Sequence, residues 1–541
     1  MKGLMMDYNL TVDRILLRAE KMFPEQEIVS RLANGSIHRY KYGEFFSRTI
    51  KLMNALRALG VKPGDRVATF AWNSYRHMEI YFAVPALGAV LHTLNIRLFP
   101  EQLVYIVNHA KDKLIFVDKS LSGMLAAQEP HFKGVQNYIV MDDLHAEPAA
   151  SLPNTLDYEA ILSAGKDTIE FPTIEEGTAA GMCYTSGTTG EPKGVLYSHR
   201  SIFLHAMGIS MTDSLAISNR DVILPVVPMF HVMSWGIPFA CCLTGAKPVY
   251  PGAQLIGKPI AELLEKERVT IAAGVPTIWN VLLQHLQKET HDLSSLKTMV
   301  VGGSAAPRSM IEAYEKKFGV SILHAWGMTE TSPLGTVSRL KKHMDTWSED
   351  EKYKVRAKQG MAVPLVEVKI VDDENKDLPW DGSSSGELLV RGPWIASSYY
   401  NAETPDGNAA FTKDGWFRTG DVATIDSNGF MEITDRKKDL IKTRGEWISS
   451  VEMENIIMSY AGVLEAAVVG RPDEVRGEAP VAFVVATAEK KGTLDAKGIH
   501  DLLSEKFAHW QIPKLSDIRF IDAVPKTSVG KFDKKVLRKQ V

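Results

Sequence analysis

The chain has 541 residues, enough for two to four domains and a sizeable core. Apolar residues at 45%, charged residues at 23% and aromatics at 9% are the proportions of an ordinary folded protein and exclude a disordered, collagen-like or coiled-coil chain. With 62 Lys and Arg against 65 Asp and Glu, the net charge of −3 supplies no global field for nucleic acid or an anionic membrane, so partners are sought locally.

The opening MKGLMMDYNLTVDRILLRAEKM intersperses acids and bases among apolar residues and lacks an uninterrupted apolar run with a small-residue cleavage site, so it reads as mature protein. From about residue 66 to 325, short β-branched runs alternate with amphipathic stretches. RVATF precedes YRHMEIYFAVPALGAV; LIFVD follows; TIAAG precedes PTIWNVLLQHL; TMVVGG precedes PRSMIEAYEKKF; SILHAW closes the series. Met310, Ile311, Tyr314 and Phe318 fall at helical spacing. This alternation predicts parallel sheets covered by helices, with chemistry at the strands' carboxyl ends. Residues 222–246 are nearly free of charge and about long enough to cross a bilayer. Pro225, Pro228 and Pro238, with His231 among them, argue instead for a strand, a turn and a buried helix from about Val232, so no integral membrane segment is expected. Cys183, Cys241 and Cys242 are too few for a disulfide framework, which points to a reduced, cytoplasmic setting.

After residue 365 the pattern changes. VEVKIVD, GELLVRG and GFMEITD are strand-like and separated by turn-rich loops, which predicts a smaller antiparallel or barrel-like sheet closing the large domain. DRKKDLIK, from Asp435 to Lys442, is dense in charge, as a linker is. About a hundred residues with their own α+β pattern follow, with Ile499, Leu502, Leu503 and Phe507 on one helical face. The expected fold is therefore α/β: a large N-terminal domain, 1–434, of helix-covered sheets plus the small β subdomain; a linker at 435–440; and a small mobile α+β domain, 441–541.

The strongest chemical signal is TSGTTGEPKG at 185–194, between the strand-like GMCY and GVLYSH. Its glycines let backbone N–H groups turn inward, its hydroxyls add donors and Lys193 adds positive charge, a set that suits a polyphosphate. The spacing is not that of a P-loop, since no helix pattern begins after Lys193. On composition alone a flexible Gly/Thr turn is the alternative.

This run closely resembles the phosphate loop of the adenylate-forming superfamily, which holds acyl- and aryl-CoA synthetases, luciferases and peptide-synthetase adenylation domains. Further matching segments recur in the superfamily's order: PMFH at 228–231, GGS at 302–304, WGMTE at 326–330, WFRTGD at 416–421, DRKKD at 435–439 with Lys442 and Gly445, and PKTSVGK at 525–531. The resemblance covers most of the chain and divides it at the same linker. Within the superfamily the arrangement is most similar to bacterial medium-chain fatty acyl-CoA ligases and 3-methylmercaptopropionate-CoA ligases.

The resemblance implies that ATP activates a carboxylic acid as acyl-AMP with loss of pyrophosphate, after which CoA takes the acyl group. It assigns phosphate contacts to Thr185, Ser186, Gly187, Thr188, Thr189, Gly190 and Lys193. It gives nucleotide contacts to Gly302, Gly303, Ser304, Ala325, Trp326, Gly327, Asp421 and Arg436. Lys531, Glu330 and Thr329 become the catalytic residues, with Glu330 also helping to hold Mg²⁺. Trp326 stands where tyrosine is commoner, and Asp435 where glycine is often found. Lys438 matches the hinge, about which the small domain turns between half-reactions, and Gly445 the approach of CoA. The acyl pocket falls to His231, Val232, Trp235, Met328 and Pro333, mostly apolar as an alkyl chain requires. The expected partners are thus a short- to medium-chain carboxylic acid, ATP and CoA, with no nucleic acid; a homodimer is left open. The rivals are an acyl-AMP ligase that loads a carrier protein, and a non-catalytic nucleotide-binding regulator.

Overall fold

The computed structural model describes residues 1, 3–143, 151–185, 191–401, 410–436, 439–443, 446–473, 476–526 and 532–541, apart from the side chains of 446 and 447. Two large sheets form the N-terminal part. One runs in the spatial order Thr155–Asp157, Asn137–Met141, Asp112–Asp118, Arg66–Phe70, Val90–Thr93, Ala179–Tyr184 and Gly194–Ser198, parallel except for its last pair. The other centres on six parallel strands: Ser321–Gly327, Thr298–Val301, Ile271–Gly274, Val222–Pro225, Lys247–Tyr250 and Glu27–Arg31. Their interiors carry the near-continuous apolar runs of strands covered on both faces; Leu114, Ile115, Phe116 and Val117 are all fully buried.

The sequence reads YRHMEIYFAVPALGAV as an amphipathic helix, and a helix does form at Tyr75–Ala86, but every one of its residues is buried. Its polar side chains are therefore paired. Glu79 receives Arg48 at 2.7 Å and the Tyr158 hydroxyl at 2.6 Å, and Arg76 reaches Asp143 at 2.6 Å. Helix Arg308–Phe318 behaves as its spacing predicts, burying Met310, Ile311 and Tyr314.

Residues 222–246 depart from expectation. The strand Val222–Pro225 is present, but the right-handed helix begins at Ile237 and ends at Thr244. Val232, Met233, Ser234 and Trp235 instead form a left-handed turn, with φ of 44°, 50°, 52° and 56°. Pro238 within the first turn sets where the helix can start. Among the described residues no helix is long and apolar enough to cross a membrane.

Beyond residue 365 the chain is antiparallel, in the order Glu367–Val371, Gly386–Arg391, Phe417–Ile425 and Met431–Arg436. The small C-terminal domain has its own sheet of Glu446–Ile448, Ile441–Thr443, Gly477–Ala486 and Val463–Asp473, joined by Ile518–Phe520. Helix Ala496–Ser504 lays Ile499 and Leu503 on that sheet's core. Asp435, at the end of the preceding sheet, is buried and takes hydrogen bonds from the Ser450 N–H and hydroxyl, each at 2.6 Å. The departure from glycine there thus supplies a carboxylate that joins the antiparallel sheet to the first helix of the C-terminal domain.

Candidate active site

A cleft of about 550 Å³ opens where the strands of the larger sheet end. Val227, Val275, Gly302, Gly303 and Gly327 line it, each at or just beyond a strand's carboxyl end. Gly302 has a steric reason: a Cβ there would stand 3.0 Å from the Trp235 ring and 3.2 Å from the Ala325 carbonyl. Gly303, at φ +84°, turns the chain away, and Ser304 is exposed rather than part of the cleft wall.

The polar end gathers residues far apart in sequence. The hairpin of Ala179–Tyr184 and Gly194–Ser198 places Thr185 and Lys193 opposite each other. The Thr185 N–H donates to the Lys193 carbonyl at 2.9 Å, and the Lys193 N–H to the Thr185 hydroxyl at 3.1 Å. Ser186, Gly187, Thr188, Thr189 and Gly190 lie outside the described residues. The Lys193 ammonium lies 4.9 Å from the centre of the Tyr399 ring, and the Tyr399 hydroxyl donates to Glu330 at 2.7 Å. Burial, then the Glu330 carboxylate, pushes the Tyr399 hydroxyl well above its ordinary pKa, so it remains a donor. Thr329 is fixed behind Glu330, its carbonyl accepting from Tyr197 at 2.8 Å.

Asp421 is buried behind the wall. Its carboxylate accepts from the Trp326 indole N–H at 3.0 Å and pairs with Arg436 at 3.2 Å, and its own N–H donates to the Thr419 hydroxyl at 3.0 Å. Trp326 and Arg436 line the cleft. Antiparallel pairing of Asp421 with Arg436 brings these two together.

His231, Val232, Trp235, Met328 and Pro333 line the other end. Two clamps hold this wall. Asn73 donates its amide to the carbonyls of Pro225 and Val227, both at 2.9 Å, and accepts the Met229 N–H at 2.7 Å. The Ser234 hydroxyl donates to the Val227 carbonyl at 3.0 Å, and the Tyr81 hydroxyl to that of Met229. Behind the turn sits His205, whose burial lowers its pKa to about 3, so its neutral Nε2 accepts the Leu334 N–H.

The sequence does not single out Ile209, Leu215, Ile278, Val300 or Tyr399, all of which line the cleft. Ile209, Ile278 and Val300 lie on ordinary helix and strand stretches that read as core, and Leu215 and Tyr399 sit in turns and loops with no motif of their own. Lys438, Gly445 and Lys531 lie outside the described residues. Lys526 lines the cleft and is bridged antiparallel to Phe532.

Charged and hydroxyl-bearing side chains beside apolar ones in a single cleft suit a protein that holds a polar ligand next to an apolar one. The AMP-binding enzyme family matches residues 16–400 and the AMP-binding enzyme C-terminal domain matches residues 452–531, and the chain belongs to this family. It is 46% identical to a long-chain-fatty-acid–CoA ligase of Thermus thermophilus, over 99% of this chain and 96% of that one. It is 43% identical to a 3-methylmercaptopropionyl-CoA ligase of Ruegeria lacuscaerulensis, over 99% and 98%. A medium-chain-fatty-acid–CoA ligase of Ectopseudomonas oleovorans is 42% identical over 100% and 97%. Among solved structures, an anthranilate CoA ligase in complex with anthranoyl-AMP superposes with a TM-score of 0.86 at 25% identity, over 100% of this chain and 99% of that one.

Proposed function

We propose that this chain, an ATP-dependent, AMP-forming acyl-CoA ligase, activates a short- to medium-chain apolar carboxylic acid, medium-chain fatty acids and 3-methylmercaptopropionate being the candidates. The observation that carries the reading is the continuity of the cleft from Lys193, Thr329 and Glu330 to Val232, Trp235, Ile209 and Leu215. An acid whose chain lies along the apolar wall puts its carboxylate at the polar end, where an α-phosphate belongs.

A free carboxylate is a poor acyl donor, because oxide is a poor leaving group. Attack of its oxygen on the α-phosphorus of ATP forms acyl-AMP and expels pyrophosphate; a thiol then displaces AMP. Two anions must approach in the first step, so a cation is needed between them, and Lys531 takes that role in our reading. Thr185, Lys193 and the loop residues 186–190 hold the phosphates, while Asp421 and Arg436 hold the ribose. Trp326 offers its indole face to the base. Among the described residues, Glu330 accepts a side-chain hydrogen bond on Oε1 alone, from Tyr399. A carboxylate with an oxygen to spare beside substrate phosphates suits Mg²⁺, which would neutralise phosphate charge there.

Residues 441–541 act as a lid on a body of residues 1–434, turning about 435–440 with Lys438 as the hinge and Gly445 beside the pantetheine route. Such a turn withdraws Lys531 once pyrophosphate has left and opens a path for the thiol. The place of Lys526 in the cleft wall supports this assignment. The three free, buried thiols support a reduced, cytoplasmic setting.

The test is a panel of acids from acetate to palmitate, with 3-methylmercaptopropionate included, assayed for AMP release with free CoA, with a phosphopantetheinylated carrier protein, and with neither. Turnover with free CoA, highest for medium-length apolar acids, is expected. A flat response would refute the pocket assignment, and turnover only with a carrier protein would establish the acyl-AMP ligase instead.

A further inference from the structure

Near the end of the helix Pro276–Leu286 that lies away from the cleft, the geometry points to a binding site for one divalent cation of the zinc type, formed by His285, Glu289 and His291. His285 is in the last turn of the helix Pro276–Leu286, and Glu289 and His291 follow on the next loop. One ligand atom from each of the three lies within 4.8 Å of the others. The two imidazoles face each other through their Nε2 atoms at 3.0 Å. Both rings are largely enclosed, with side chains 14% and 8% exposed.

Protonation decides what this pair can hold. His291 Nδ1 lies 2.9 Å from a Glu265 oxygen, so that nitrogen carries the proton and Nε2 presents its lone pair to His285. Glu265 is itself fixed by the Asp292 N–H at 3.0 Å on its other oxygen. This is a carboxylate–histidine arrangement of the kind that orients an imidazole toward a metal. His285 in its Nδ1–H tautomer adds a second lone pair at the same point. Two imidazoles on one tetrahedral ion, with bonds of about 2.0–2.1 Å, hold their nitrogens about 3.3 Å apart, so a shift of a few tenths of an ångström suffices. The Glu289 carboxylate, 3.9 Å from His285 Nε2, completes a three-ligand set with its fourth position open to water. Exchanging its exposed contact with Lys258, at 3.2 Å, for an ion is a small rearrangement. Two imidazoles favour zinc-type ions over magnesium or calcium.

The site would tie together the ends of two helices, Lys258–Lys266 through Glu265 and Pro276–Leu286 through His285. The second helix starts at the cleft, where Thr277 and Ile278 line the wall, and its eleven residues span about 16 Å. The ion therefore stands apart from the reacting groups, and losing it leaves the ligase chemistry in place.

The full chain, stripped with a chelator and free of nucleotide, is titrated with Zn²⁺ alone. One ion per chain with a micromolar or tighter dissociation constant is expected, and Co²⁺ loading should give the visible bands of tetrahedral nitrogen and oxygen ligation. His285→Ala and His291→Ala should each weaken binding at least a hundredfold, and Glu265→Gln about ten- to hundredfold through the outer shell. Glu289→Gln, an exposed change that leaves the fold undisturbed, should weaken Zn²⁺ with an unaltered melting temperature in chelator. No micromolar binding by the wild type would overturn the site and leave a metal-free His–His–Glu hydrogen-bond chain. Equal binding by wild type and variants would overturn it in favour of scattered surface histidines.

Discussion

Trp326 stands where the resemblance leads one to expect tyrosine, and its indole N–H donates to Asp421 at 3.0 Å. That carboxylate is buried and also serves Arg436, so the indole fixes the group assigned to the ribose. Trp326→Phe keeps a flat face but removes the donor from a charged acceptor, a loss of about 1.5–3 kcal/mol. The Michaelis constant for ATP should rise roughly ten- to hundredfold with kcat little changed, read from pyrophosphate release; an unmoved constant would mean that the indole does not position Asp421. Lys531→Ala separates the half-reactions. Acyl-AMP formation should fall by about a hundredfold or more, as when an electrostatic stabiliser is removed. CoA transfer from supplied acyl-AMP should continue, and adenylation that survives would remove Lys531 from its role.

At the scale of elements, the left-handed turn at 232–235 is the least expected piece of the molecule. Left-handed backbone costs roughly 1–2 kcal/mol per non-glycine residue, so packing and hydrogen bonds from elsewhere must hold it. Asn73 supplies three of those bonds to the strand end and loop just before the turn, from a position more than 150 residues earlier. Asn73→Ala would take partners from the Pro225 carbonyl and the Met229 N–H, at about 1–3 kcal/mol each in the worst case, while the Val227 carbonyl keeps the Ser234 hydroxyl. A lower melting temperature is expected, together with a kcat/KM for the acid reduced more than that for ATP. Equal losses for both substrates would show that the loop does not shape the acyl wall. The same turn shows why part of the site is hidden from sequence. Motifs locate Lys193, Glu330 and Asp421 because their chemistry is carried by local residue order. Val232, Met233 and Trp235 have no left-handed preference, and only distant side chains impose it. The strand Glu27–Arg31 is another case, since its partner in the larger sheet, Lys247–Tyr250, lies some two hundred residues away. The βα alternation from 66 to 325 was legible because each strand and helix there is set by its own periodicity. Its grouping into two sheets depends on which strands meet, which local pattern does not encode.

Across the whole molecule, buried histidines and buried carboxyls pull the response to acid in opposite directions. His77, His199 and His324 have pKa values lowered to about 4 and His205 to about 3, each chiefly by burial. His199 and His205 share the helix His199–Ser210, while His77 and His324 lie on other elements of the N-terminal part, and protonating any of them works against the buried core. The unfolded chain takes up a proton at each near pH 6.5, while the folded chain does not until about pH 4 or 3. Between these values the unfolded state binds more protons, and stability falls as the pH drops, by about 1.4 kcal/mol per histidine for each unit below 6.5. At pH 5.5 the four together cost about 5 kcal/mol. Asp118 opposes them: burial raises its pKa to about 7, so it is protonated in the fold before it is in the unfolded chain and favours folding as the pH drops from about 7 toward 4. At pH 5.5 it returns about 2 kcal/mol, and burial pushes Glu79, Asp112, Glu315, Asp435, Glu452 and Glu454 in the same direction, so the carboxyls offset part of the histidine loss. His205→Gln isolates one member of the set. Relative to its value at pH 7.5, the urea midpoint of the wild type at pH 5.0 should fall further than that of the variant, by the equivalent of about 2 kcal/mol. Parallel pH profiles for the two proteins would show that His205 does not stay neutral in the fold, and the acid response would then have to come from other groups.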